Sequence, residues 1–288
     1  MTTTTTLEWH THDGLRIEAG AWMPTQPPIG MICIVHGMGE HYRRYEALAR
    51  YLNTQGWGIL SFDHRGHGRS EGQRGHSPSY EDLMRDLDQA LHQTLTLAGG
   101  DEKLPLVLMG HSMGGNLVLN YGLRRPHHTL AGVIASAPWL RLVKPPSVLL
   151  MGALRLLKPL VPTLSQPTKL EVSALSRDAA VVADYQADTL NHDRITAGFF
   201  FEVNQAGNWA LSQAEHWKTP LLLYHGTGDR ITAAAGTAAF ADKVKPALLT
   251  YRAWEGWYHE LHNEPQKEEL WQWLVRWLEG VRKPTPAE

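Results

Sequence analysis

The stretch that most restricts how this chain can fold runs from Leu104 to Asn116. An apolar run, Leu106-Val107-Leu108-Met109, reads as a buried strand and drives into Gly110-His111-Ser112-Met113-Gly114-Gly115. A helical pattern (Leu117, Val118, Leu119, Tyr121, Leu123) follows at once. Strand, sharp turn with a serine at its apex, then helix is the geometry that presents a serine hydroxyl at the end of a sheet. Such a turn strains the serine backbone, so its neighbours must be tiny. Gly110 and Gly114 supply that room, and Gly115 lets the helix begin close to the sheet. A bare Gly-x-Ser-x-Gly is weak, since both residues are common; the flanking strand and helix raise it above a Gly-rich loop with a solvated serine.

The rest of the chain supplies the sheet into which this turn fits. Leu7 to Thr11 and Leu15 to Ala19 alternate in polarity around Asp13-Gly14, a hairpin signal in which the Asp-Gly pair carries the positive φ angles. Met31 to Val35, Trp57 to Phe62, Leu130 to Ala135, Pro220 to His225 and Ala247 to Tyr251 read as further strands, mostly of the fully buried type. Helices are expected over Tyr45 to Leu52, Ser79 to Leu97 with Ser79 as N-cap, Ala233 to Val244, and Lys267 to Leu278. Strands alternating with helices mean an α/β fold: a mostly parallel eight-stranded sheet, helices on both faces, an antiparallel hairpin at one edge.

The alternation stops between Trp139 and Trp217. This region holds five prolines (Pro145, Pro146, Pro159, Pro162, Pro167), an apolar segment from Val148 to Leu157, and helical patterns over Asp178 to Tyr185 and Ile195 to Ala210. It leaves one core strand and returns before the next, so it reads as a cap, residues 139–217, inserted into a core of residues 1–138 and 218–288. Ligands of open α/β sheets bind outside the carboxyl ends of the strands, where such an insertion sits.

Composition removes several function classes. The net charge of −2 offers no field for nucleic acid. The stretch Val148 to Val161 is too short for a membrane span and is interrupted by Arg155, Lys158 and Pro159. The 16 histidines are scattered without ligand spacing, so neither a metal nor another cofactor is expected. Met1 with its five threonines reads as a frayed tail without signal-peptide character. The single cysteine, Cys33, sits in a buried strand; a cytoplasmic location is expected.

A serine hydroxyl needs a general base, and the base needs an acid to fix its tautomer. In a strand-turn-helix hydrolase the order along the chain is Ser, Asp or Glu, His. Asp229 follows the strand Leu221 to His225 across Gly226 and Gly228, and His259 follows the next strand in Gly256-Trp257-Tyr258-His259-Glu260-Leu261-His262. Asp229 also reads as a turn residue or N-cap, His262 rivals His259 on spacing, Asp63 ends a strand but precedes the serine, and Asp242 falls in a helical pattern. Two N–H donors are needed for the oxyanion. Met113 supplies one at a helix start, and Met38 of His36-Gly37-Met38-Gly39 supplies the other, with the methionine side chains as pocket wall.

Taken together, His36-Gly37-Met38-Gly39-Glu40-His41 with Arg44-Tyr45, the block Phe62 to Gly72, Gly110 to Gly115, Gly226 to Asp229 and Tyr258 to His262 resemble the serine α/β-hydrolases of the monoacylglycerol lipase and lysophospholipase-like group, bacterial type. The resemblance implies the α/β-hydrolase fold, Ser112, Asp229 and His259 as triad, Met38 and Met113 as oxyanion donors, and His259 rather than His262 as base. It also implies a headgroup pocket of Glu40, Arg44 and His262, and cleavage of monoacylglycerols to glycerol and fatty acid through an acyl-enzyme. A broad short-chain carboxylesterase or a lysophospholipase with the same triad is the alternative. The partner expected is a single-chain lipid ester, with transient lipid-surface contact through the cap. An aspartate would be needed at Ser112 for dehalogenase or epoxide hydrolase chemistry.

Overall fold

Alternating polarity at the N-terminus makes an edge hairpin, β1 (Thr3–His10) and β2 (Arg16–Met23). The computed structural model describes residues 3–101, 103–125, 129–157 and 161–282. Thr3 to Thr6 are not a frayed tail: they pair with Met23 to Gly20 of β2, because β-branched threonines suit an edge strand. Met1 and Thr2 lie outside the described residues. Of the Asp-Gly pair only Gly14 takes a positive φ, +87°; the loop spans Thr11 to Leu15, and Thr11 bonds Asp13 and Leu15 instead of forming a two-residue turn.

The continuous apolar runs become β3 (Gly30–Val35), then, after α1 (Glu46–Thr54), β4 (Trp57–Phe62). The chain continues through α2 (Tyr80–Leu97), β5 (Leu106–His111), α3 (Met113–Arg124) and β6 (Gly132–Ser136). Ser79 caps α2 by accepting the Asp82 N–H. Within the insertion stand α4 (Val148–Leu157), β7 (Ser165–Pro167), α5 (Ala179–Ala187), β8 (Arg194–Thr196) and α6 (Ala197–Gln213). The core resumes with β9 (Leu221–Gly226), α7 (Ala234–Ala241), β10 (Leu249–Trp254) and α8 (Lys267–Arg282). The last strand begins later than the apolar pattern suggests, because Pro246 starts a 3₁₀ turn through Leu248 and the strand is a half-exposed edge.

The eight strands lie in the order β1-β2-β4-β3-β5-β6-β9-β10. From β4 to β10 every pairing is parallel; β2 is antiparallel to both neighbours. Successive side chains of a strand enter two different cores. Met31, Cys33 and Val35 pack with Leu83, Leu87, Leu117 and Val203 on one face, while Ile32 and Ile34 pack with Leu48, Leu52, Leu270 and Leu274 on the other. Helix α6 belongs to the first of these layers. Its Phe199, Val203, Ala206 and Ala210 join that core, and Asn116 and Asn120 of α3 donate to the carbonyls of Val203 and Ala206. Segments ahead of α6 cross the carboxyl edge of the sheet and are tied down by His41 to Asp188 (2.7 Å), His192 N–H to the Gly39 carbonyl (2.9 Å) and Arg177 to Glu264. Lys158 and Pro159, expected to interrupt the apolar stretch, lie outside the described residues. Among those described, no helix is long and apolar enough to cross a membrane.

One buried cation fastens the hairpin and α2 to the loop after β4. Arg65, 1% exposed, makes bidentate bonds to Asp86 of α2 (2.6 and 2.9 Å) and Asp13 (2.9 and 3.1 Å). Removing one partner of a buried pair strands the other charge, at a cost of about 3–5 kcal/mol. Arg65→Leu is therefore expected to lower the urea-unfolding free energy by about that amount, whereas Arg50→Ala, at an exposed helical pair with Glu46, changes it by less than about 1 kcal/mol.

Candidate active site

The turn between β5 and α3 is as tight as its glycines suggest. Ser112 has φ 54° and ψ −114°, a conformation L-residues avoid. Its N–H donates to the Ser136 carbonyl (3.0 Å), and its carbonyl accepts from Asn116 and Trp139 (2.9 and 2.8 Å). A Cβ at Gly110 would collide with the Gly114 carbonyl, and one at Gly114 with the Val35 carbonyl. The strained serine thus stands where α3 passes across the ends of β3 and β5.

No hydrogen bond from the Met113 N–H or the Met38 N–H is found among the described residues. The first is an orphan donor of a helix start. The second follows Gly37, whose own N–H is taken by Glu40 Oε1 (2.6 Å), and precedes Gly39 at φ +76°. Of the two methionine side chains, Met38 lines the cavity described below; Met113 does not form pocket wall but is fully buried in the core. It starts α3 facing the layer of Leu117 and Val118.

Asp229 sits in the loop after β9, its side chain fully buried. Oδ1 accepts the N–H groups of Ile231 (2.7 Å) and Thr232 (3.1 Å). Oδ2 meets His259 Nδ1 (2.7 Å), His225 Nε2 (2.9 Å) and the Thr232 hydroxyl (2.9 Å). Burial alone would raise this carboxyl; its two histidines and their hydrogen bonds overcome that and hold it well below the usual range. For His259 burial disfavours the imidazolium, but the Asp229 carboxylate outweighs it and the ring ends above the ordinary histidine value. Donation from Nδ1 to Asp229 leaves Nε2 with a free lone pair, the tautomer a general base requires.

Ser112 and His259 line one cavity of about 350 Å³ with Met38, Glu40 and Arg44. One stretch of its wall is apolar, with Trp139, Leu142, Leu150, Leu175, Ile195, Phe200 and Ile231, drawn largely from the insertion. Another stretch is charged. Arg44 Nη1 donates to Glu40 (2.7 Å) and to Glu260 (2.5 Å), its Nη2 donates to the second Glu260 oxygen (2.7 Å), and its guanidinium lies 4.6 Å from the Tyr185 ring centroid. His262 is not among the lining residues. It stacks on Tyr45 with ring centroids 4.7 Å apart, is 1% exposed, and is pushed down to about 4 by burial. Asp63, which precedes the serine, accepts the N–H groups of Tyr42 and Arg69 (both 2.8 Å) and ties down two loops instead.

Residue spacing left out His225, Glu260 and the lining residues Tyr185 and Phe200. His225 and Glu260 stood beside residues already singled out, four before Asp229 and one after His259, and a strand-end histidine near a buried acid is a usable signal. Nothing local marks Tyr185 or Phe200, because only the path of the insertion brings them to the site.

The His259 titration can be followed directly. Its imidazole resonances are expected to report a pKa above the ordinary value of about 6.5. In Asp229→Asn, where burial acts without the carboxylate, the pKa is expected to fall below that value.

The comparisons agree with this architecture. A family model described as "Serine aminopeptidase, S33" matches residues 26–266. The chain is 33% identical over 270 residues to the monoacylglycerol lipase of Mycolicibacterium smegmatis, covering 92% of this chain and 93% of that one. It is 34% identical over 282 residues to an abhydrolase domain-containing protein of Dictyostelium discoideum, covering 96% of this chain but spanning only 30% of that protein. The crystal structure of Paleococcus ferrophilus monoacylglycerol lipase superposes with a TM-score of 0.81 at 32% identity, covering 97% and 99% of the two chains. On the matched span, the shared sheet and the serine turn, the chain belongs to the serine α/β-hydrolases of the monoacylglycerol lipase and lysophospholipase-like group.

Proposed function

We propose that this protein hydrolyses monoacylglycerols to glycerol and fatty acid through an acyl-enzyme on Ser112. The observation that carries the reading is one cavity bounded by Ser112 and His259, with apolar side chains along one stretch and the Arg44 carboxylate network along another. That is the polarity of a single acyl chain joined to a polyhydroxylic head. The monoacylglycerol lipases among its relatives support the same substrate class.

In this reading His259 takes the Ser112 hydroxyl proton as Oγ attacks the ester carbonyl. The N–H groups of Met38 and Met113 receive the oxyanion. Removing one such donor typically costs about 10²–10³ in turnover. His259 then passes the proton to the departing glycerol oxygen. A water then attacks the acyl carbon as His259 takes its proton; the bond from that carbon to Oγ breaks, the fatty acid leaves, and His259 returns the proton to Oγ to restore the Ser112 hydroxyl. Asp229 stays ionised throughout, stabilising the imidazolium that forms twice per cycle. Glu40 and Glu260 accept from glycerol hydroxyls, Arg44 holds the two carboxylates in place, and His262 backs this pocket through Tyr45, whose hydroxyl donates to Glu40 (2.8 Å).

The cap of residues 139–217 is assigned two duties. Helix α6 closes the core, and the part ahead of it covers the cavity. That part carries Leu149, Leu156 and Leu164, 86%, 77% and 60% exposed, beside Arg155. An apolar face with a basic residue favours transient contact with a lipid surface.

Ser112→Ala is expected to lower kcat for a monoacylglycerol by at least about 10⁴-fold with an unchanged circular dichroism spectrum; substantial turnover in that variant refutes the nucleophile. In an ester panel the monoacylglycerols should exceed acetate esters and lysophospholipids in kcat/KM. Leu149→Ser with Leu156→Ser should weaken sedimentation with phosphatidylcholine vesicles and activity on dispersed substrate, leaving turnover of a water-soluble ester unchanged.

A further inference from the structure

A histidine outside the proposed triad shares the same carboxylate oxygen. His225 is the penultimate residue of β9, is fully buried, and places Nε2 2.9 Å from Asp229 Oδ2 and 3.1 Å from the Thr232 carbonyl oxygen. Both are acceptors, so Nε2 must carry a proton. Its other nitrogen, Nδ1, lies 2.7 Å from the Thr237 hydroxyl of α7, which can donate to it. His225 therefore satisfies all its contacts as a neutral ring and brings a donor to Asp229 without adding a buried charge.

The geometry points to His225 as a positioning residue that, with Thr237 behind it, sets the rotation of the Asp229 carboxylate and thereby the alignment and basicity of His259. This rests on the proposed serine hydrolase reading. The loop amides of Ile231 and Thr232 hold Oδ1. The Thr232 hydroxyl also reaches Oδ2 (2.9 Å), but it belongs to the same loop and lies within 3.1 Å of the Ala137 carbonyl as well, so the loop by itself gives Oδ2 only a shared donor. His225 holds Oδ2 from the sheet side, while His259 Nδ1 meets the same oxygen at 2.7 Å. A rigid strand and helix then join the loop in aiming the acid. A donor on Oδ2 also draws off part of the negative charge that would otherwise act on His259. Removing it leaves the carboxylate a stronger partner for the imidazolium and moves the His259 titration upward. The other ionisable groups near this pair are His111 of β5, whose ring centroid lies 4.6 Å from that of His259, together with Glu260, Glu40, Arg44 and His262. None of them donates a hydrogen bond to Asp229 among the described residues.

The test uses the full chain and p-nitrophenyl butyrate, a soluble ester that does not depend on the headgroup pocket. His225→Leu is expected to lower kcat by about 10- to 100-fold, the range typical of groups that orient a reacting side chain. KM should stay within about twofold, and the acidic limb of kcat/KM should move to higher pH. His225→Gln, which restores an N–H at similar reach, should recover kcat to within about threefold and return the limb to its wild-type position. Wild-type kcat and pH profile in His225→Leu, or equal impairment in His225→Gln, would overturn the assignment. Should His225→Leu fail to fold by circular dichroism, Thr237→Val decides: a loss of kcat with the limb displaced supports the relay, and an unchanged profile refutes it. Ester hydrolysis that survives Ser112→Ala would instead refute the proposed function itself, so the two failures are distinguishable.

Discussion

The turn at Ser112 can exist only because three backbone segments approach more closely than any side chain would allow. Gly110 faces the carbonyl of Gly114, Gly114 faces the carbonyl of Val35, and Gly115 faces Pro138. This contact fixes where α3 begins relative to β3, β5 and β6. The first turn of α3, the loop after β3 and the loop after β6 then converge on one point at the carboxyl edge of the sheet. The positive φ of Ser112 is the local cost, offset by the Ser112 N–H donating to Ser136 and the Ser112 carbonyl accepting from Asn116 and Trp139.

Around that point the polar groups are held by layers of fixed partners rather than by solvent. Asp229 has donors on both oxygens, Arg44 is clamped between two carboxylates, and Glu40 accepts from Gly37, Tyr45 and Arg44. Buried as they are, such groups keep their orientation only when every strong acceptor is paired. The same bonds link pieces far apart in sequence: Arg44 joins Glu260, His41 joins Asp188, and the Glu260 N–H donates to the Leu175 carbonyl. The segments ahead of α6 are thereby coupled to the loop that carries His259.

Much of this was legible in the sequence. Strands buried on both faces announce themselves by uninterrupted apolar runs, so β3, β4, β5 and β9 fall close to where hydropathy puts them. The edges were harder. At β1 the threonines look like a tail until β2 pairs with them, and at β10 half exposure removes the apolar signal that places the inner strands. The candidates Ser112, Asp229 and His259 follow from strand ends and chain order. His262 illustrates the limit, since it shares the loop of His259 and the same residue type, yet stacks on Tyr45 while its neighbour meets Asp229.

The amino-acid order by itself determined the layered sheet, the serine turn and the positions from which an acid and a base approach it. These are consequences of periodicity and of glycine placement, which act over a few residues. Tertiary structure alone decided the shape of the cavity, the company of Asp229 and the burial of His262. It also decided that α6 of the insertion belongs to the core while α4 presents leucines to solvent. Those outcomes depend on contacts between segments up to 216 residues apart, such as Arg44 with Glu260. No local pattern encodes which of several equivalent polar or apolar partners the packed chain brings together.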